Sequence, residues 1–124
     1  MTLESAIQDW LLQIISTEKP SNDVIAYNIG VFETENGYSL YLIGASDFSE
    51  EDSDWACEET FTPKERYLLL PASDFKLGKW EAALKKIVKA VKACLKMSEI
   101  NESFIAKANA VTVGFDDGDL VRVI

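Results

Sequence analysis

The chain has 124 residues, of which 21 are acidic and 12 are basic, and its formal net charge is −9. This length suits one domain with its own hydrophobic core, and the acidic excess argues against nucleic acid or an anionic membrane as a partner, because both recruit clustered Lys and Arg. The sequence contains no histidine, which removes the usual triad base and the most common metal ligand. We therefore expect one domain over 1–124 that holds no metal and no cofactor.

The first predicted element is a helix from Leu3 to Ile15, with Thr2 as its N-cap and an end before Pro20. One stripe of this helix is apolar and should face the core. The stripe consists of Leu3, Ile7, Leu11 and Ile14, with Trp10 beside them.

Two alternating strands follow, Val24–Thr34 and Tyr38–Ala45, and Asn36-Gly37 between them is a strong signal for a hairpin turn. If these two residues occupy the centre of the turn, the register follows directly. The opposite pairs would be Val31 with Leu42, Phe32 with Tyr41, and Gly30 with Ile43.

Residues 47–59 form an acidic run that contains no Lys or Arg. The run is interpreted as a solvated loop, a calcium site, a catalytic carboxylate pair or a contact surface for a basic partner. An EF-hand register and its central glycine are missing, so calcium is disfavoured. We favour the contact surface, in which Trp55 is fixed against the core or, with Phe48, anchors the partner. Its residues are Asp47, Phe48, Glu50, Glu51, Asp52, Asp54, Trp55, Glu58 and Glu59.

The second half of the chain predicts a strand at Arg66–Leu70 that ends at Pro71 and an amphipathic helix at Lys79–Met97. Within Ser98–Lys107, residues 104–106 suit a short helix or an extra strand, and we favour the helix. Trp80, like Trp10, is expected in the core. Apolar positions of the long helix are Trp80, Leu84, Ile87, Val91 and Leu95, and its solvated side carries Lys85, Lys89, Lys92 and Lys96.

A second hairpin is predicted from Ala110–Phe115, the turn Asp117-Gly118 and Leu120–Ile124, with Phe115 opposite Leu120 and Val113 opposite Arg122. The element order describes an α+β domain. We expect an antiparallel sheet of about five strands, including two hairpins, with two main helices packed on one face.

The N-terminal stretch MTLESAIQDW carries acids where a secretion signal would carry Lys or Arg, and no apolar run reaches the length of a membrane span. Cys57 and Cys94 are too few for a disulfide framework. We expect a cytoplasmic protein in which both cysteines are buried as small hydrophobic side chains.

Charge is unevenly divided along the chain. Residues 1–66 hold fourteen acids against three bases, a net charge of −11, whereas residues 67–124 hold seven acids against nine bases, a net charge of +2. Exposed ion pairs contribute only about 0–1 kcal/mol each, so stability does not explain the acidic run. A patch of one sign raises the association rate with an oppositely charged protein.

Two stretches carry a resemblance to a known class of proteins. The first is Tyr38-Ser39-Leu40-Tyr41-Leu42-Ile43-Gly44 followed by Asp54-Trp55-Ala56-Cys57 and Phe61-Thr62-Pro63, and the second is Val113-Gly114-Phe115-Asp116-Asp117-Gly118-Asp119-Leu120. With its acidic α+β pattern, the chain resembles small bacterial immunity proteins of polymorphic toxin systems. The resemblance implies neutralisation of a cognate toxin, often a basic nuclease, and it assigns no individual residue.

The sequence therefore predicts a non-enzymatic binding protein whose acidic surface captures a basic protein partner. One alternative is a structural protein that forms homo-oligomers through a sheet edge or the amphipathic helix. Another is a small carboxylate-dependent hydrolase that uses the acids of the run or those of Asp116, Asp117 and Asp119.

Overall fold

The structure is a computed structural model that describes residues 2–35, 37–71, 80–115 and 118–124. Within these ranges the chain forms three α-helices, one short 3₁₀ helix and five strands. In chain order they are α1 (Leu3–Thr17), β1 (Ala26–Thr34), β2 (Gly37–Ala45), the 3₁₀ helix (Ser53–Cys57), β3 (Tyr67–Pro71), α2 (Trp80–Leu95), α3 (Ser98–Asn101), β4 (Ala110–Phe115) and β5 (Val121–Arg122).

All five strands belong to one sheet with the order β3-β2-β1-β4-β5. The β1–β4 pair is parallel, and the other three neighbouring pairs are antiparallel. The predicted α+β domain with five strands and two main helices is confirmed, and the sheet is mixed rather than wholly antiparallel. A parallel pair needs a long crossover, and the chain between β3 and β4 contains α2 and α3.

Helix α1 forms as its sequence predicts. The Thr2 hydroxyl accepts from the backbone N–H of Ser5, and the Ser5 hydroxyl accepts from the N–H of Thr2, so the two residues form a capping box. Trp10 is buried and its indole N–H donates to the carbonyl of Glu65 at 2.7 Å. The predicted apolar stripe packs into the main core with α2 and the sheet.

The first hairpin has a register two residues away from the predicted one. The observed opposite pairs are Val31 with Leu40, Phe32 with Ser39, and Gly30 with Tyr41. Thr34 pairs with Gly37, whose φ is 148°, so Gly37 belongs to the second strand and the turn lies earlier in the sequence than predicted. Asn36 lies outside the described residues. An even shift leaves each side chain on its predicted face.

The second hairpin differs from its predicted register by one residue, since Val113 lies opposite Val121 and Thr112 opposite Arg122. An odd shift exchanges the faces of the returning strand, so Arg122 points away from the helices. There it forms an ion pair with Glu50, and this contact stabilises the observed register. Asp117 of the predicted turn lies outside the described residues.

Helix α2 buries three residues of its predicted apolar stripe, Ile87, Val91 and Leu95, whereas Leu84 is partly buried. Its buried residues run through Ala83, Ile87, Ala90, Val91, Cys94 and Leu95. Trp80 lies at the first position of the helix, at the border of this stripe, and is 54% exposed. The prediction that Trp80 is a core residue is therefore wrong. A short helix within Ser98–Lys107 is confirmed at Ser98–Asn101, whereas residues 104–106, where it was expected, form turns.

The two faces of the sheet differ in what covers them. Tyr27, Ile29 and Val31 of β1 pack into the core shared with α1 and α2, and the alternate residues face the other way. On that second face, β1 and β4 place small or medium side chains side by side, which we call the small-residue trough. The trough consists of the neighbouring pairs Ala26–Ala110, Asn28–Thr112 and Gly30–Gly114.

Replacing Gly30 with Ala should destabilise the fold, because the new Cβ would lie 2.0 Å from the Tyr41 ring. That ring contacts Phe32, Tyr67 and Arg66, so its displacement loses several contacts at once. We expect a loss of about 1–3 kcal/mol in the free energy of unfolding, measured in urea. Gly118→Ala is the matched control, since its Cβ would meet no atom closer than 3.7 Å. Equal effects of the two substitutions would contradict the contact.

Candidate functional site: an acidic loop on the second face of the sheet

Residues 46–60, which we call the acidic loop, leave the sheet after β2 and return to it with both ends held together. Gly44 and Phe61 exchange two backbone hydrogen bonds, of 2.8 and 3.0 Å. Beside them the backbone N–H of Ser46 donates to the Thr60 hydroxyl at 3.2 Å. The base of the loop is therefore closed, as in a compact Ω-loop.

Trp55 fixes the middle of the acidic loop to the sheet. Its side chain is 4% exposed and packs in a cluster with Ala26, Ile43, Ala45 and Ala110. Three alanines on three adjacent strands leave room for a large indole at this end of the small-residue trough. The prediction that Trp55 is fixed against the core is confirmed, and the apolar surface of its side chain is buried within the protein.

Phe48 and Arg122 hold the first part of the acidic loop. The Phe48 ring is half-buried and meets the Trp55 ring edge to face, with centroids 5.1 Å apart. The Arg122 guanidinium lies 5.0 Å from the centre of the Phe48 ring and forms an ion pair with Glu50. Arg122 also donates to the carbonyl oxygens of Asn109 and Ile124, so its position is fixed from the residue before β4 and from the C-terminal residue.

Arg66 holds the other end of the acidic loop through an ion pair with Glu59 at 2.8 Å. Its guanidinium also lies 5.6 Å from the Tyr41 ring centre and 5.4 Å from that of Tyr67. The hydrogen bond to Glu59 raises the pKa of Arg66, and partial burial opposes this effect. The two arginines thus restrain the loop on either side of Trp55.

Short-range hydrogen bonds shape the chain between these attachments. Asp47 accepts from the N–H of Phe48, and Asp52 caps the 3₁₀ helix by accepting from the N–H of Asp54 at 2.9 Å. The Ser49 hydroxyl accepts from the N–H groups of Glu51 and Asp52. Asp47 and Asp52 therefore have local structural roles in addition to their charge.

Three carboxylates of the acidic loop neither shape the loop nor attach it to the sheet. Glu51, Asp54 and Glu58 are exposed, and within the described part of the chain their side chains form no hydrogen bond or ion pair. Helix α2 packs against the opposite face of the sheet, so its lysines lie across the sheet from these groups. The loop is therefore an ordered surface with uncompensated negative charge.

An aromatic groove that the sequence did not predict lies beside the acidic loop. The groove has a volume of about 540 Å³, and the rings of Phe32, Tyr41 and Tyr67 lie along it with centroids 6.1–6.5 Å apart. Asp54 and Glu59 line its side, and the hydrogen-bonded pair Asn28–Thr112 lies within the trough.

The edge strand β3 adds exposed apolar surface to the same face. Tyr67 is 58% exposed and Leu69, two residues further along the strand, is 63% exposed. In the sequence, this exposure is indicated by the run Tyr67-Leu68-Leu69-Leu70, because consecutive apolar residues in an edge strand cannot all face one core.

The prediction that both cysteines are buried holds for Cys94 and is wrong for Cys57. Cys57 ends the 3₁₀ helix and lines the aromatic groove, two positions after the buried Trp55, where the chain already turns away from the sheet. Cys94 packs between α2 and α1, and burial raises its pKa to about 11 with a further contribution from Glu4.

Metal binding and membrane insertion are two further possibilities for the described residues. Among the described residues, no group of three or more Cys, Asp or Glu side chains is arranged to hold a metal ion. None of the described helices has the length and apolarity needed to cross a bilayer. Comparisons with protein-family models, curated proteins and solved structures found no match.

Trp55→Ala should lower the free energy of unfolding by about 3–5 kcal/mol, because it leaves a large cavity above the alanines of the trough. Trp80→Ala deletes the same side chain from an exposed position and should cost less than about 1 kcal/mol. Urea denaturation measures both. A small effect of Trp55→Ala would contradict the proposed seating of the loop.

Thiol labelling should separate the two cysteines. We expect a disulfide reagent at pH 8 to modify Cys57 in the folded protein and to reach Cys94 only after denaturation, because Cys94 is buried with a pKa of about 11. Cys57→Ser should remove all rapid labelling. Rapid labelling of that variant in its folded state would contradict the burial of Cys94 between α2 and α1.

Proposed function

We propose that the chain is a non-enzymatic binding protein that captures a basic protein partner on the acidic loop. The observation that carries this proposal is the restraint of the loop by Trp55, Arg66 and Arg122 while Glu51, Asp54 and Glu58 stay exposed. A loop that only kept the protein in solution would not need three separate attachments to the sheet.

The restraint of the loop supports fast and tight binding for two reasons. Carboxylates held in place create a local negative field that steers a basic partner and raises the association rate. A loop that is already ordered also loses little conformational entropy when it binds. The charge of −11 over residues 1–66 extends the field beyond the loop.

Apolar contact for the partner is available next to the charges. Tyr67 and Leu69 are exposed on the same face as the acidic loop, and Tyr67 and Phe32 line the aromatic groove beside it. Interfaces typically combine an apolar centre with a polar rim. We propose Tyr67 and Leu69 as the apolar centre, since Trp55 is occupied in the protein's own core.

The specific form of the proposal is immunity. A toxin nuclease needs a cationic surface to bind its nucleic acid, and an ordered acidic loop offers carboxylates to that same surface. Occupying it would block the substrate. The two free thiols support a reducing, cytoplasmic location for such a protein.

The test measures association kinetics with a partner obtained at low salt. The chain is used to capture a protein from its own host, and the purified partner is then mixed with the chain in a stopped-flow instrument at several ionic strengths. Changing Glu51→Gln, Asp54→Asn and Glu58→Gln together should lower the association rate about tenfold at low salt and flatten its salt dependence.

A matched control changes the same number of charges elsewhere. Asp9→Asn, Glu33→Gln and Glu102→Gln alter exposed carboxylates outside the acidic loop and should leave most of the salt dependence intact. If the loop variant kept the wild-type salt dependence, the acidic loop would not be the contact surface. If the partner did not arrest growth when expressed alone, the immunity form would be wrong and the binding function would remain.

A further inference from the structure

Helix α2 carries a second groove on the other side of the molecule. It has a volume of about 860 Å³ and runs beside the outer flank of α2 towards Val121 of β5. Trp80, Leu84 and Val88 form its apolar wall at intervals of four residues, and Trp80 is the most exposed of them at 54%.

A row of lysines follows the apolar wall along the groove. Four exposed lysines line it at intervals of three or four residues, and Glu81 is the one acidic side chain among the described residues that line it. They are Lys85, Lys89, Lys92 and Lys96. The apolar wall spans residues 80–88 and the lysine row spans residues 85–96, so together they line the groove over the length of the helix, roughly 24 Å at 1.5 Å per residue.

We infer that this groove binds an acidic amphipathic helix of another protein. A helix of about four turns matches the length of the groove, and its apolar side chains at helical spacing fit against Trp80, Leu84 and Val88. Carboxylates flanking that apolar stripe would reach the lysine row. Charge complementarity selects an acidic partner over a basic one, so this surface and the acidic loop recognise opposite chemistry.

Other occupants suit the groove less well. A second copy of the chain presents its acidic loop beside a flat sheet edge, where Tyr67 and Leu69 are exposed on a strand, so it offers no helical apolar ridge next to those carboxylates. An anionic bilayer attracts lysines, but its surface does not enter a concave groove beside a helix. The inference stands on α2 and does not depend on the partner of the acidic loop.

The test uses two designed peptides of 16 residues with the same leucine stripe, one with Glu and one with Lys at the remaining positions. Titration of the whole chain, followed by calorimetry and by acrylamide quenching of Trp fluorescence, should show saturable binding of the Glu peptide and protection of Trp80. We expect the Lys peptide to bind at least about tenfold more weakly.

Charge reversal identifies the groove. Lys85→Glu, Lys89→Glu and Lys92→Glu together should abolish binding of the Glu peptide, whereas the same reversal at exposed Lys19, Lys64 and Lys107 should retain most of it. Trp80→Ala provides a second variant with little expected effect on folding, and it should weaken binding about tenfold.

Several results would overturn the inference. These are failure of the Glu peptide to bind, equal binding of the two peptides, and unchanged binding by both the charge-reversed and Trp80→Ala proteins. Concentration-dependent sedimentation that charge reversal abolishes would instead assign the groove to a second copy. Binding to vesicles with anionic headgroups, without binding to the Glu peptide, would assign it to a membrane.

Discussion

The packing of Trp55 on Ala26, Ala45 and Ala110 is the contact on which the second face of the sheet depends. The three alanines are far apart in sequence and meet because β2 and β4 both flank β1. Small side chains on three adjacent strands make a depression that an indole fills, and the acidic loop is thereby held against the sheet. Arg66 and Arg122 then restrain it on both sides. Without the indole, the same carboxylates would belong to a long surface loop with no fixed geometry.

The sheet also separates charges of opposite sign. The acidic loop lies on one face, and α2 with its lysine row packs against the other. Close pairing would have cancelled both fields while contributing little stability, since exposed ion pairs are weak. Separation preserves two local potentials in a chain whose total charge is −9. The molecule can therefore present a preorganised anionic surface and a distinct cationic groove.

Local patterns predicted much of this architecture, and contacts between distant residues account for what they missed. Apolar periodicity located α1 and the hairpin strands, because each depends on neighbours along the chain. The parallel β1–β4 pair and both registers depend on long-range partners such as Tyr41 over Gly30 and Arg122 on Glu50. Trp80 and Cys57 lie at the ends of α2 and of the 3₁₀ helix, and their exposure depends on how each helix is placed against the core. The acidic run was evident from sequence, whereas the exposure of Tyr67 and Leu69 required knowledge that β3 is an edge strand.

Nuclear Overhauser contacts from the Trp55 indole test the seating of the acidic loop most directly. In the folded protein at neutral pH, we expect strong contacts between the indole ring protons and the methyl groups of Ala26, Ala45 and Ala110. We also expect dispersed amide resonances for residues 46–60, since the loop adopts one arrangement. An indole without these methyl contacts, together with random-coil amide shifts over 46–60, would contradict the claim that the acidic loop is a preorganised surface.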